Sequence, residues 1–303
     1  VELEFQGNLD LIVVYNDPSI ALCRLIRLCK KKQIKLVADV TEWYEPKGNI
    51  LFRLIKGFDS FFRMRVLHNK LDGIIAISTY LFNYYNKKNS LQLPPLVDKN
   101  SKKWKPVKYN ERSFKKIVYV GSPGNGTKDR LDKIILSLAR IMDKLGAFRF
   151  VIVGITKQEY LNSFGATAIP EILGDALCFK GRKTHKEAIK EIKEADYSIF
   201  LRDNNLINTA GFPTKFAESI TCNTPVLTNA SSNIIDFLKN GELGYLLDIS
   251  TDEKLDTSLQ IALSKNTAEI NYIKQQCELF EKFHYESYKV KFQQFFNNIN
   301  LGK

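Results

Sequence analysis

The sequence predicts an α/β protein built from two parallel, doubly wound domains. Three observations carry that reading. Short apolar runs alternate with stretches of helical period, the signature of parallel strands joined by crossover helices. The alternation breaks at residues 93–113 (LPPLVDKNSKKWKPVKYNERS), where three prolines and many charges read as an interdomain linker. It then restarts, and 303 residues suffice for two domains that each bury a core.

Taken in order, residues 9–15 (LDLIVVY) form a strand, and Asn16, Asp17, Pro18 and Ser19 supply turn and helix-start chemistry. A helix follows through Leu22, Leu25, Ile26 and Cys29, with basic residues on its other face. KLVADV (35–40) and GIIAIS (73–78) are further strands, the second leading into a helix over STYLFNYY. Beyond the linker, IVYV (117–120) is a strand, and Leu131, Ile134, Ile135, Leu138, Ile141, Met142 and Leu145 mark one helical face. FRFVIVG (148–154) is a strand, and Thr184 with Glu187 makes a capping box ahead of Ala188, Ile189 and Ile192. YSIFL (197–201) and PVLT (225–228) are strands on either side of a short helix over PTKFAESI (213–220), and helices finish the chain. The expected boundaries are 1–105 for the first domain and 106–285 for the second, with a helix over 286–303 returning to the first.

Composition narrows the function. Apolar residues at 44% with 26% charged describe a globular chain. No apolar run approaches the ~20 residues of a membrane-spanning helix. Five cysteines without C-x-x-C spacing fit reduced thiols, and three scattered histidines give no metal site. A formal charge of +12 asks for an anionic partner: a phosphorylated substrate, a membrane surface or nucleic acid. Basic residues spread over both domains, without a base-stacking motif, argue against nucleic acid.

Two stretches read as anion sites. In YVGSPGNGTKD (119–129), Gly121 and Gly126 have P-loop spacing, but Thr127 and Lys128 stand in reverse order. The glycines fall as G-x-x-G-x-G, so the dinucleotide fingerprint is missing too. The loop is a place for close backbone approach to a phosphate, with Lys128 at its exit, or a plain surface turn. In NTAGFPTKFAESITCNTPVL (208–227), Gly211 permits a tight turn and Pro213 suits the first helical position. The free amides near Thr214 and Lys215 would face an anion, and Glu218, one turn on, could accept bonds from a ribose. The other reading is an exposed Lys–Glu pair of small consequence.

With FKGRKTHKEAIKEIKEADYSIFLRD (179–203) between them, these stretches resemble the nucleotide-sugar domain of GT-B glycosyltransferases. The likeness is to the retaining, family-four type (glycosyl transferases group 1), in family order and spacing. It extends less sharply to AISTYLFNYY and LPPLVD before the linker. The resemblance implies two Rossmann-like domains facing across a cleft, the first of them incomplete, since a whole one carries further strand–helix units ahead of NLDLIVVYN. It also implies transfer of a sugar, with retention, from a nucleotide-diphosphate sugar, UDP-sugar first, to a glycan, lipid-linked or protein acceptor, with no resident cofactor.

Residue by residue, the resemblance sets Lys128 at the diphosphate-binding lysine and Glu218 at the second glutamate of E-x7-E. Gly211, Phe212, Pro213, Thr214 and Lys215 match the loop whose amides hold diphosphate and sugar; Gly181 and Arg182 match the segment that meets the nucleobase. Gly121, Ser122 and Gly124 belong to the glycine loop, where an arginine often replaces Ser122. Ala210 stands where the first motif glutamate would be, and Arg202 or Lys215 could supply the missing charge. Lys128, Lys215 and Glu42 are the catalytic candidates. Asp39 and Glu42, in ADVTEWYEP, are acceptor-side candidates at a strand's carboxyl end, or simply start the next element. A second reading is a non-catalytic GT-B partner subunit.

Finally, GNILFRLIKGFDSFFRMRVLHNK (48–70) carries an apolar stripe of Ile50, Leu51, Leu54, Ile55, Phe58, Phe61 and Phe62 beside Arg53, Lys56, Arg63 and Arg65. Such a helix packs on the sheet or, through residues 50–65, lies on an anionic membrane. The expected location is cytoplasmic, with docking at the inner membrane face as the second option.

Overall fold

A computed structural model describes residues 9–44, 49–86, 89–107, 112–123, 128–165 and 167–299. The chain divides into two compact units. The first draws its described residues from Val1–Pro95, Asn205–Phe212 and Tyr285–Lys303, and the second from Leu96–Asn204 and Pro213–His284.

The chain begins in the first unit with β1 (Leu11–Tyr15), α1 (Ser19–Lys32), β2 (Lys35–Val40), α2 (Ile50–Phe62), β3 (Gly73–Ala76), α3 (Thr79–Tyr85) and β4 (Ser90–Gln92). The four strands are parallel in the order β1-β2-β3-β4. Leu22, Ile74 and Leu81 are fully buried in its core, each worth roughly 2 kcal/mol by area removed from water. Ser78 caps α3 by accepting from the Leu81 amide (3.2 Å).

The second unit continues with β5 (Lys115–Val120), α4 (Leu131–Arg140), β6 (Phe148–Val153), α5 (Lys157–Phe164), β7 (Leu177–Phe179), α6 (His185–Lys193) and β8 (Tyr197–Ile199). After α7 (Leu206–Ala210), which packs in the first unit, come α8 (Thr214–Thr221), β9 (Val226–Thr228), β10 (Gly244–Leu246), α9 (Asp252–Leu263) and α10 (Thr267–Leu279). Last is α11 (Lys289–Asn298), back in the first unit. This sheet is parallel in the order β10-β9-β8-β5-β6-β7. The chain runs outward from β5 to β7, then restarts at β8 on the other side, so the topological switch lies between β5 and β8. The predicted face of α4 is the buried one: Leu131, Ile134, Ile135 and Leu138 are all fully covered. The predicted capping box is present, Thr184 and Glu187 each satisfying the other's amide at the start of α6.

Four expectations differ in detail. The units part after Pro95 rather than after 105, because the stretch read as linker is anchored: Trp104 is buried against Ala188, Ile189 and Ile192 of α6. Residues 205–212, expected in the second domain, belong to the first unit, where Ala210 joins the core. The second unit closes at His284 and the returning segment begins at Tyr285. Pro213 is the N-cap of α8, with extended backbone, rather than its first residue.

Candidate active site

Ligands of open parallel sheets sit beyond the carboxyl ends of the strands at the switch point. In the second unit that place is lined by the residues following β5 and β8. Gly121 leaves β5 and donates its amide to the Val153 carbonyl (3.0 Å). Gly154, at φ +115°, lies so close that an added Cβ would stand 1.8 Å from the Gly121 oxygen. Its amide in turn donates to the carbonyl of Gly181, at φ +62° (2.8 Å). Three strand ends are thereby drawn together by glycines.

A buried charge cluster lies beside Gly121. The Asp129 carboxylate, 1% exposed, accepts from Lys215 Nζ (2.6 Å) and the Tyr119 hydroxyl (2.7 Å) on one oxygen, and from Arg202 Nε (3.3 Å) on the other. The Lys215 ammonium stacks over the rings of Tyr119 (4.3 Å) and Phe200 (5.5 Å). It fills the space that a side chain at 121 would need: a Cβ there would come within 2.7 Å of Nζ. Asn229, just past β9, clasps the Arg202 backbone, accepting from its amide and donating to its carbonyl, both at 2.8 Å.

The protonation states follow from burial and neighbours. Burial alone would raise the Asp129 carboxyl, but Lys215 and then Arg202 outweigh it and hold it below the usual range. Burial lowers Lys215 to about 8; Asp129 opposes that shift, whereas Arg202 and Lys128 add to it. Burial, then Asp129, pushes the Tyr119 hydroxyl up, so it stays a donor. At neutral pH two cations share one carboxylate, which leaves one positive charge in surplus in a largely water-excluded place. Such a site is complementary to an anion.

Among the other predicted residues, Lys128 is exposed, and its amide donates to the Pro123 carbonyl (3.2 Å). Gly124 lies outside the described residues. Ser122, Gly154, Glu159 and Arg182 line a cavity of about 240 Å³ beyond the ends of β5 and β6. Arg182 is exposed and 3.5 Å from Glu159. Thr214 is exposed on the first turn of α8, whose N-cap Pro213 offers no side-chain cap. Glu218, half-buried one turn on, pairs with His185 at 3.5 Å.

Gly211 and Phe212 are buried residues of the first unit. Beside them, Ala210 is fully buried and its carbonyl accepts from the Ser78 hydroxyl (2.5 Å), so the motif's first acidic position is filled by core packing. Asp39, the last residue but one of β2, lies beside Asn16, Asp17, Tyr44 and Arg63 around a void of about 10 Å³, and burial raises its carboxyl. Glu42 is exposed nearby, and after burial it is the largest cause that keeps the Tyr44 hydroxyl protonated.

The structure thus brings Gly121, Arg202 and Lys215 together and leaves Lys128 at the rim. The residues that sequence reasoning missed are Asp129, Tyr119, Asn229 and Gly154. One signal was there to find: cations gathered at one site need a counter-ion, and Asp129 directly follows Lys128.

The fold, with its charge cluster at the switch point, is of the GT-B glycosyltransferase type. Residues 100–278, more than half the chain, match the glycosyl transferases group 1 family, and the chain belongs to that family. No curated protein matches the sequence. Among solved structures it is similar to S. aureus TarM, at 14% identity and TM-score 0.69, covering 95% of this chain and 54% of TarM. Anabaena HepE, in complex with UDP, is similar at 13% identity and TM-score 0.68, over 95% of this chain and 78% of HepE. Sucrose-phosphate synthase from Thermosynechococcus elongatus is similar at 15% identity and TM-score 0.68, over 97% of this chain and 74% of that enzyme. The chain therefore spans about half the length of TarM, and at these identities the likenesses speak to fold.

Proposed function

We propose that this chain transfers a sugar from a nucleotide-diphosphate sugar, UDP-sugar first, to a glycan, lipid-linked or protein acceptor, with retention. The observation that carries the proposal is the buried Lys215 ammonium seated over Gly121 at the switch point, with a surplus positive charge shared with Arg202. As the glycosidic bond breaks, negative charge gathers on the leaving diphosphate, and fixed cations lower the barrier most at that moment. Backbone amides at the start of α8 add donors, and Glu218 is placed to accept from ribose hydroxyls. Asp39 and Glu42 serve the acceptor side. HepE, similar in fold, was crystallised with UDP, which supports the choice of donor. The donor is a co-substrate, and the reading invokes no metal or resident cofactor.

One observation favours the second reading, a partner subunit that binds donor without turnover: Ala210 removes an acidic contact to the transferred sugar. Incubating the purified chain with radiolabelled UDP-glucose, UDP-galactose and UDP-N-acetylglucosamine separates the two. Sugar release or transfer from at least one is expected. Tight UDP binding with no turnover, with or without membranes, would instead establish the partner-subunit reading.

The chain is further proposed to work in the cytoplasm, docked on the inner face of an anionic membrane. Among the described residues, no helix is long and apolar enough to cross a membrane. The C-terminal end of α2 is fastened to its unit. Asp59 accepts from the Ser19 amide (2.8 Å), and Arg63, just past the helix, donates to Asn16 (3.2 Å) and to the Asp17 carbonyl (2.9 Å). Phe62 packs on the core of the unit, but the rest of the apolar stripe is exposed, Ile50 at 78% and Phe58 at 70%. Arg65 lies over the Phe61 ring (5.2 Å) and Lys56 over Phe52 (5.7 Å), so cations flank the stripe as they would at a lipid headgroup layer. Leu54→Glu with Phe58→Glu is expected to abolish co-sedimentation with phosphatidylglycerol vesicles while leaving UDP affinity unchanged; undiminished vesicle binding would refute the docking role.

A further inference from the structure

Asp129 is the most enclosed charged group of the site, and among the described residues its carboxylate bonds turn inward to Lys215, Arg202 and Tyr119. Its own backbone is fixed as well. Its carbonyl accepts from the Leu201 amide at the end of β8 (3.2 Å). The next residue, Arg130, is held in left-handed backbone (φ +45°) by bonds to Asp132 (2.7 Å) and Asp203 (2.7 Å). A non-glycine residue in that conformation costs free energy and persists only where its surroundings over-determine it. The loop is therefore built to point one carboxylate at one ammonium.

We propose that Asp129 is a positioning residue that keeps Lys215 charged and seated over Gly121, and so sets the pH range in which the site grips a diphosphate. The inference rests on the donor-site reading above. At 1% exposure the carboxylate is shut away from a donor and acts through Lys215. The groups that face the Lys215 ammonium are Asp129 and Lys128 from the segment before α4, Arg202 from beyond β8, and the Tyr119 hydroxyl from β5. Only Asp129 is negative. Without it, burial and two neighbouring cations all favour the neutral amine.

The sign is then fixed. In the wild type, affinity for a diphosphate weakens as pH rises through about 8, where Lys215 gives up its proton. In Asp129→Asn the loss of an adjacent opposite charge moves that fall to lower pH by about one unit or more. Arg at 215 stays charged at any working pH, so Lys215→Arg should restore affinity at high pH in the Asp129→Asn background.

The test is calorimetric titration of the full chain at pH 6, 7, 8 and 9 with the tightest binder among UDP, GDP and ADP. Asp129→Asn is expected to stay within about threefold of wild type at pH 6 and to bind about fivefold weaker or worse at pH 8. In a Lys215→Met background it should add no further loss. A defect equal at every pH, or a further loss in the Lys215→Met background, would show Asp129 to be structural and overturn the inference. Should Asp129→Asn not fold, Asp129→Glu keeps the charge on a longer arm and must preserve the wild-type pH midpoint; a midpoint shifted to lower pH would also overturn it. If none of the three nucleotides binds the wild type, the donor-site reading falls and this inference with it. Normal binding with a pH-independent defect removes the Asp129 role alone.

Discussion

Replacing Lys215 by methionine is expected to lower turnover with a nucleotide-sugar by about two to three orders of magnitude, the usual cost of losing one pre-organised charge at a developing anion. The chain should stay folded. Methionine fills a similar volume over the Tyr119 and Phe200 rings, and Asp129 remains neutralised by Arg202 at 3.3 Å and bonded to Tyr119 at 2.7 Å. A thermal melt within a few degrees of wild type separates lost chemistry from lost structure. Lys128→Met is the comparator. Its side chain is exposed, where water screens its charge, so a loss below about tenfold is expected there. A ranking with Lys128→Met the more damaging would move the site out to the loop and contradict the account.

The largest effect on stability is expected from Gly154→Ala. A methyl group there would stand 1.8 Å from the Gly121 carbonyl oxygen, on backbone at φ +115°. Both obstacles are main chain, so no rotamer relieves them, and β5 and β6 would have to part next to the site. A loss of about 3 kcal/mol or more in the second unit follows, read from its urea transition. Gly146→Ala, with nothing within 4 Å of the added carbon, should change stability by no more than about 0.5 kcal/mol. Equal transitions for the two variants would show that the strand ends have room that the geometry denies.

These expectations also mark what was legible in the sequence. The long periodic elements were: KLVADV is β2 residue for residue, and of the apolar face written for 131–145, Leu131, Ile134, Ile135 and Leu138 are the buried face of α4, which ends at Arg140, ahead of Met142 and Leu145. The Thr184–Glu187 capping box was legible because its chemistry is local. The strands β4, β7 and β10 and the helices α5 and α7 were not: three to eight residues display little period, and β8 and β9, just as short, were legible only as the apolar runs YSIFL and PVLT. The site was half legible. Glycines and lysines at strand–helix turns point to an anion, but a sequence does not say which lysine is enclosed, and only burial and the partner Asp129 separate Lys215 from Lys128. Asp129 itself was not singled out, because its importance lies in contacts with residues 73 and 86 positions away. The stripe on α2 shows the limit from the other side: amphipathic period fixes a helix but does not say what covers it.

The measurement that bears most directly on the central claim is a paired titration of wild type and Lys215→Met with UDP and UMP. If the buried ammonium over Gly121 receives the donor's diphosphate, wild type binds UDP about tenfold or more tightly than UMP, and the variant binds the two nearly alike. Equal affinities for UDP and UMP in the wild type, or a UDP preference that survives in the variant, would contradict it.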